Sequence, residues 1–210
     1  MGKICYPDGE RQAKSMGAFE TMRETAIGWL RKMKPENIAR NAGIAYDPAR
    51  QAFRMSTLGR EVVLHLPEYR FTPELNSWQE LTLLHCLHLA DGFPLLNRPL
   101  SLGGMKDGAA RGGSFDRRCE GLLGKLAALS EGEISRRCAR LSGRRISGNA
   151  DYLAVFELLP CCPLTLKLWR ADEDFPASGR LLADGSIDHY LTVEDAVMLG
   201  GYIIETLLSE

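Results

Sequence analysis

The 210-residue chain has no run that approaches the roughly 20 consecutive apolar residues a membrane span requires. Its opening stretch, MGKICYPDGERQ, has no apolar core of the kind that directs secretion, so a cytoplasmic location is expected. A surplus of charge is missing too: 26 Lys and Arg stand against 27 Asp and Glu, leaving a formal net charge of −1. No overall field recruits nucleic acid or a membrane surface, and neither is expected as a partner. The six cysteines, at positions 5, 86, 119, 138, 161 and 162, form no CxxC pair. In an intracellular chain they read as thiols or ligands rather than disulfides. A Walker loop, GxGxxG, HExxH, a Ser-His-Asp elbow and a kinase signature are all absent. The enzyme classes that depend on such short motifs are therefore disfavoured. Internal repeats, low-complexity tracts and flexible linkers are absent as well.

What is present is enough apolar residue, 45% of the chain, to bury a sizeable core, and one compact domain over residues 1–210 is the expectation. Apolar residues at Phe19, Met22, Ala26, Trp29, Leu30 and Met33 recur at helical spacing and predict an amphipathic helix ended by Pro35. PENIARNAG follows as a short helix with Pro first and Gly43 at its cap. The period then changes, and GIAYDPARQAFRMSTLGREVVLHLPEYRFTP, with turn signals at Asp47-Pro48 and Leu58-Gly59, predicts an antiparallel meander. Ser77 and Glu80 form a capping box for the helix in SWQELTLLHCLHLADG. A Gly-rich stretch leads to a helix from Ser114 with Phe115, Cys119, Leu122, Leu123 and Leu126 on one face, and Ser130 with Glu133 opens another, ending near Gly143. YLAVFELL and LTLKLW flank PCCP as a hairpin, and GRLLAD adds a strand. Thr192 and Asp195 cap a final helix whose stripe, from Val193 to Leu207, is expected to pack on that hairpin's sheet. The fold class is α+β: an N-terminal meander and a C-terminal hairpin plus strand, covered by amphipathic helices.

Two blocks, WQELTLLHCLHLADGFPLLNRPLSL and LWRADEDFPASGRLLADGSIDHYLTVED, with RGGSFDRR between them, resemble the prokaryotic family catalogued as domain of unknown function 3786. The resemblance runs from about Phe19 onward and is strongest at the tryptophan, acidic run and Phe-Pro. It implies a setting in anaerobic metabolism and brings no activity with it. Some members carry a cysteine-rich module suited to an iron-sulfur cluster. This chain has none, and Cys86 and Cys161-Cys162 stand where other residues are usual.

Four groups of residues have the chemistry for a site. In an extended loop Asp172 and Asp174 converge while Glu173 points away, which suits a cation or an Arg/Lys clamp. The plainer alternative is a solvated turn whose flanking rings, Trp169 and Phe175, act as staples. Either way burial of both rings, and a partner for Asp172 or Asp174, are expected. His85 and His88, at i and i+3, can ligate a metal together with Asp172, Glu173 and Asp174, or serve singly as an axial ligand to a haem or corrinoid. The bland reading is one core histidine bonded to a carbonyl and one at the surface. Gly112 and Gly113, with Lys106 and Arg111 nearby, offer a helix N-terminus for a cofactor's phosphate or carboxylate. Cys161-Cys162 reads as small fillers at a hairpin end, with a soft-metal or redox pair as the alternative. Arg136, Arg140 and Arg144 read as a solvated helix face.

The function these residues favour is non-enzymatic: an accessory or binding protein of anaerobic metabolism that holds a metal ion or a corrinoid or haem, or serves a redox or cofactor-dependent enzyme that does. The alternatives are an interaction module without a small ligand and an acid-base enzyme using the 172–174 carboxylates with His85. The sharpest expectation is geometric: the helix bearing His85 and His88 faces the acidic loop, so that an imidazole and a carboxylate line one cavity.

Overall fold

Caps and changes of period divide the chain into six α-helices and nine strands among residues 10–209, the part described by the computed structural model, with side chains described from Gly17 onward. Cys5 and the opening stretch lie outside the described residues. Helix α1 (Glu10–Leu30) buries Ala26, Ile27 and Leu30, while Met22 and Trp29, read as part of the same stripe, sit at its exposed edge. Pro at the start of α2 (Pro35–Ala42) and Gly43 at φ +68° bound that helix as the sequence predicts. The meander then forms from β1 (Ala45–Asp47), β2 (Ala52–Thr57), β3 (Arg60–His65) and β4 (Arg70–Thr72), antiparallel and in chain order. Its central turn has Leu58 at φ +48° and Gly59 at φ +77°, the left-handed pair that a two-residue hairpin needs.

The next helix departs from its predicted cap. Asn76, not Ser77, caps α3 (Ser77–Leu89), its side-chain oxygen accepting from the backbone N–H groups of Trp78 at 3.1 Å and Gln79 at 3.0 Å. Glu80 is thereby free to pair with Arg23 of α1 at 2.5 Å, which ties the two helices together. Helix α4 (Arg111–Ala127) begins three residues before Ser114, and α5 (Glu131–Ala139), capped by Ser130, ends before Arg144. Arg144 belongs instead to a short strand, β6 (Arg144–Ile146), and so leaves the supposed arginine face.

The second sheet is built from β7 (Tyr152–Glu157), β8 (Pro163–Trp169) and β9 (Ser178–Asp184), edged by β6 and by β5 (Pro99–Leu100), in the antiparallel order β5-β9-β8-β7-β6. Alternation sends Ala154, Phe156, Leu164, Leu166 and Leu168 to one face, all fully buried. Helix α4 lies on that face, over β9 and β8. Helix α6 (Val193–Leu208) buries Val197, Ile203, Ile204 and Leu207, but it packs on α4, α3 and α5 rather than squarely on the sheet as expected. The face is already occupied by the Phe115, Cys119, Leu123 and Leu126 stripe of α4, and α6 comes close to the sheet at Gly200, which lets Phe115 and Leu181 close in. One buried apolar cluster joins the two sheets, from Phe53 and Leu64 in the first to Phe156 and Leu166 in the second. Among the described residues no helix is long and apolar enough to cross a membrane.

Candidate functional site

The sequence-predicted residues fall at opposite ends of the second sheet. Cys161 and Cys162, which immediately precede β8, touch Cys86 on α3, so the histidine-bearing helix lies at the start of β8. The acidic run follows the other end of that strand. Seven residues at about 3.3 Å each separate the two ends by roughly 20 Å. The structure therefore does not bring His85 or His88 together with Asp172, Glu173 or Asp174. Neither a shared cavity nor an acid-base pair forms between them. Among the described residues no group of three or more His, Cys, Asp or Glu is arranged to hold a metal ion.

Local hydrogen bonding explains the acidic loop. One carboxylate oxygen of Asp172 accepts from the backbone N–H of Asp174 at 2.9 Å and of Phe175 at 2.7 Å, and Asp172 N–H donates to the Phe175 carbonyl at 3.0 Å. This is an Asx turn, closed by its own backbone. All three acids are exposed, Phe175 is 70% exposed and Trp169 is half-buried, so the expected burial of both rings fails. The partner expected for Asp172 or Asp174 is supplied to Asp172 by the loop's own backbone N–H groups, and no ion pair to either acid is present among the described residues.

The histidines sit on α3 beside α1 and the entry to α6. His85 Nδ1 lies 2.8 Å from Asp195 Oδ1. Since a carboxylate only accepts, that nitrogen carries the proton. Asp195 is itself buried, and its other oxygen accepts from the Thr192 hydroxyl at 2.7 Å and backbone N–H at 3.4 Å, so one carboxylate both caps α6 and holds α3. His88 stacks on Trp29 with ring centroids 4.8 Å apart, and its buried Nδ1 has no hydrogen-bond partner. Burial, with His85 nearby, lowers the His88 pKa from its ordinary 6.5 and so favours the neutral ring. A second pair lies one segment further on. His189 Nδ1 meets Asp91 Oδ2 at 2.7 Å, the His189 ring stacks on Phe93 at 3.9 Å, and the Tyr190 hydroxyl donates to the Phe93 carbonyl. The two His-Asp pairs fasten the end of α3 and its following loop to the segment leading into α6.

Cys86, Cys161 and Cys162 come together behind this seam. Cys161 and Cys162 are the neighbours that most perturb the fully buried Cys86 thiol, whose pKa is raised well above 9.0; contact with Cys86 and burial likewise push up that of Cys161. Such thiols stay protonated and behave as small apolar fillers. At Gly112 and Gly113 much of the helix N-terminus is taken up by the fold itself. A side chain at Gly112 would collide with the Leu102 carbonyl, Gly113 N–H already donates to Gly108 at 3.1 Å, and Ser114 N–H donates to Ala110 at 3.1 Å. These glycines admit a close backbone crossing.

A hollow lies elsewhere, on the face of the second sheet away from α4. It measures about 470 Å³. Its floor is the outward row of β7 and β8, in which Leu153 opposes Lys167 and Val155 opposes Thr165. The loop carrying Leu95, Asn97 and Arg98 walls one side, and Arg144 to Asn149 walls the other. A second hollow of about 330 Å³ shares Arg144, Val155, Glu157 and Pro160 with it and extends toward the Gly59 turn of the first sheet. Sequence reasoning missed this cleft because its walls come from segments without motif character. One signal was available: YLAVF is apolar at every position, whereas a strand with one wet face alternates.

The geometry defines an α+β protein with a sheet-floored cleft of ligand size. The family model described as Domain of unknown function (DUF3786) matches residues 34–206, and the chain belongs to that family. The match begins at Lys34, later than the Phe19 at which the resemblance begins, so α1 stands outside it. Searches of curated proteins and of solved structures found no match.

Proposed function

We propose that this protein is a binding or accessory protein rather than a catalyst, and that it takes a small ligand in the cleft on the outer face of the second sheet. The observation that carries this reading is the cleft itself. A volume of about 470 Å³ falls within the range of small-molecule sites, on a floor of β7 and β8 with two walls. The acid-base alternative has lost its geometry, since the carboxylate beside His85 is the capping Asp195 and the 172–174 acids lie at the far end of β8. A metal or a corrinoid or haem on the histidine face draws support only from the exposed Trp29 ring stacked on His88 and from the unpartnered His88 Nδ1. The cleft is the better-supported site because it has volume.

Amide-shift mapping of the isotope-labelled full chain against a panel of small organic compounds tests the proposal. Perturbations are expected on Leu153, Val155, Thr165 and Lys167, and Thr165→Trp, which fills the floor, abolishes them. Perturbations gathered around Trp29, His85 and His88, with colour or metal in the purified protein, would return the site to the histidine face. A panel that leaves the cleft amides unmoved would leave an interaction module as the better account.

A further inference from the structure

On the reading that the cleft is a ligand site, we infer that its ligand has a flat apolar body carrying one anionic group, a carboxylate, sulfonate or phosphate. The apolar part follows from the floor. Val155 and Leu153 of β7 sit at outward positions between Leu95 on one wall and Ile146 on the other, on a pleated surface that matches a planar body. The anionic part follows from the charges at the rim. Three cations line the cleft, Arg98, Arg144 and Lys167, against two carboxylates, Glu157 and Asp184, which leaves a local +1 in a chain whose net charge is −1.

The two carboxylates are less available than the count suggests. Burial opposes ionisation of Asp184, but hydrogen bonds from Ser186, Leu96 and Asn97 outweigh it and lower its pKa, and its Oδ1 already accepts from Leu96 N–H at 2.9 Å, Ser186 N–H at 3.0 Å and the Ser186 hydroxyl at 2.7 Å. Glu157 approaches Arg144 only to 3.8 Å, a loose contact between exposed groups. Two of the three cations, by contrast, have no carboxylate partner. Lys167 donates to the neutral amide oxygen of Asn149 at 2.7 Å, which orients the ammonium without cancelling its charge. Arg98 enters no ion pair among the described residues. A guanidinium on the wall and an ammonium rising from the floor beside Leu153 and Val155 present charge-assisted donors to one anionic group.

Two fluorescent probes of nearly the same shape separate the parts of this inference: anilinonaphthalene sulfonate, which is anionic, and phenylnaphthylamine, which is uncharged. The sulfonate is expected to bind about tenfold more tightly than the amine, with cleft amides shifting for both, and inorganic phosphate should displace only the sulfonate. Arg98→Gln and Arg144→Gln should each weaken the sulfonate about tenfold and leave the amine within about twofold, with the remaining amide spectrum unchanged as the control for folding. Equal affinity for the two probes would overturn the anionic ligand while leaving the cleft as a site. Failure of both probes to move the cleft amides would remove the site and this inference with it.

Discussion

The two faces of the second sheet are built from the same three strands and have opposite characters. On the inner face Phe156, Leu164 and Leu166 lie under α4 with no access to solvent. On the outer face Val155, Thr165 and Lys167 remain half-open, and only Leu153 is buried, beneath the loop at Gly148. A side chain's neighbours one position along β7 thus do different work: Phe156 holds the fold, and Val155 forms the surface of a cleft. The contrast shows why the conspicuous polar motifs misled. Asp195, His85 and Asp172 are absorbed by caps, clasps and turns that the fold itself needs, while the open surface is made of residues with no motif at all.

The strongest attempt to break the contrast is to truncate both faces. Phe156→Ala should cost about 3–5 kcal/mol of unfolding free energy, whereas Val155→Ala should cost under about 1 kcal/mol. Equal losses in denaturant titrations would show that the outer face is packed as firmly as the inner. Next in size is Gly179→Ala, whose added methyl would lie 2.6 Å from Leu123 and 2.7 Å from Leu168 on the inner side; a loss of about 2–3 kcal/mol is expected, again by denaturant titration. Asp195→Ala removes both the α6 cap and the partner of His85, and should cost about 2 kcal/mol, with Thr192→Ala costing less. Asp172→Ala removes only a solvated turn, and a melting curve displaced by less than about 1 kcal/mol is the expected outcome.

The smallest effect is one of pH. His189 holds the Asp91 carboxyl below its ordinary 3.8, so the stability Asp91 contributes is present above that value and disappears as pH falls through the lower folded value. Wild type and His189→Ala should therefore converge, as far as Asp91 separates them, when unfolding is followed below pH 3.8. An unchanged gap across that window would show that the pair carries no linkage.

Much of the fold is legible in the sequence because its signals are local. Two apolar runs and the prolines between them mark the β7–β8 hairpin, and Thr192 with Asp195 marks the start of α6. Where two good caps stand side by side, as at Asn76 and Ser77, local chemistry cannot choose, and Arg23, more than fifty residues away, settles the matter by engaging Glu80. The edge strands β5 and β6 have two and three residues, too few to show a period. For the site, the sequence singles out His85 as a ligand and Asp195 as a cap, but no local pattern joins residues 110 positions apart. The cleft is harder still, since a hollow is defined by what several segments leave uncovered.

The β2–β3 turn that meets the second sheet also sets an order of events. Leu58 N–H donates to the Glu157 carbonyl at 2.8 Å, across 99 residues of chain (157 − 58). Hairpins such as β2–β3 and β7–β8 close within microseconds, because only a few residues must be gathered for each. The bond between the sheets has to wait for a far longer loop to close, and its entropy is recovered only when the shared core forms around it. The tip of the first hairpin is thus positioned as a latch that engages late, once both sheets already exist.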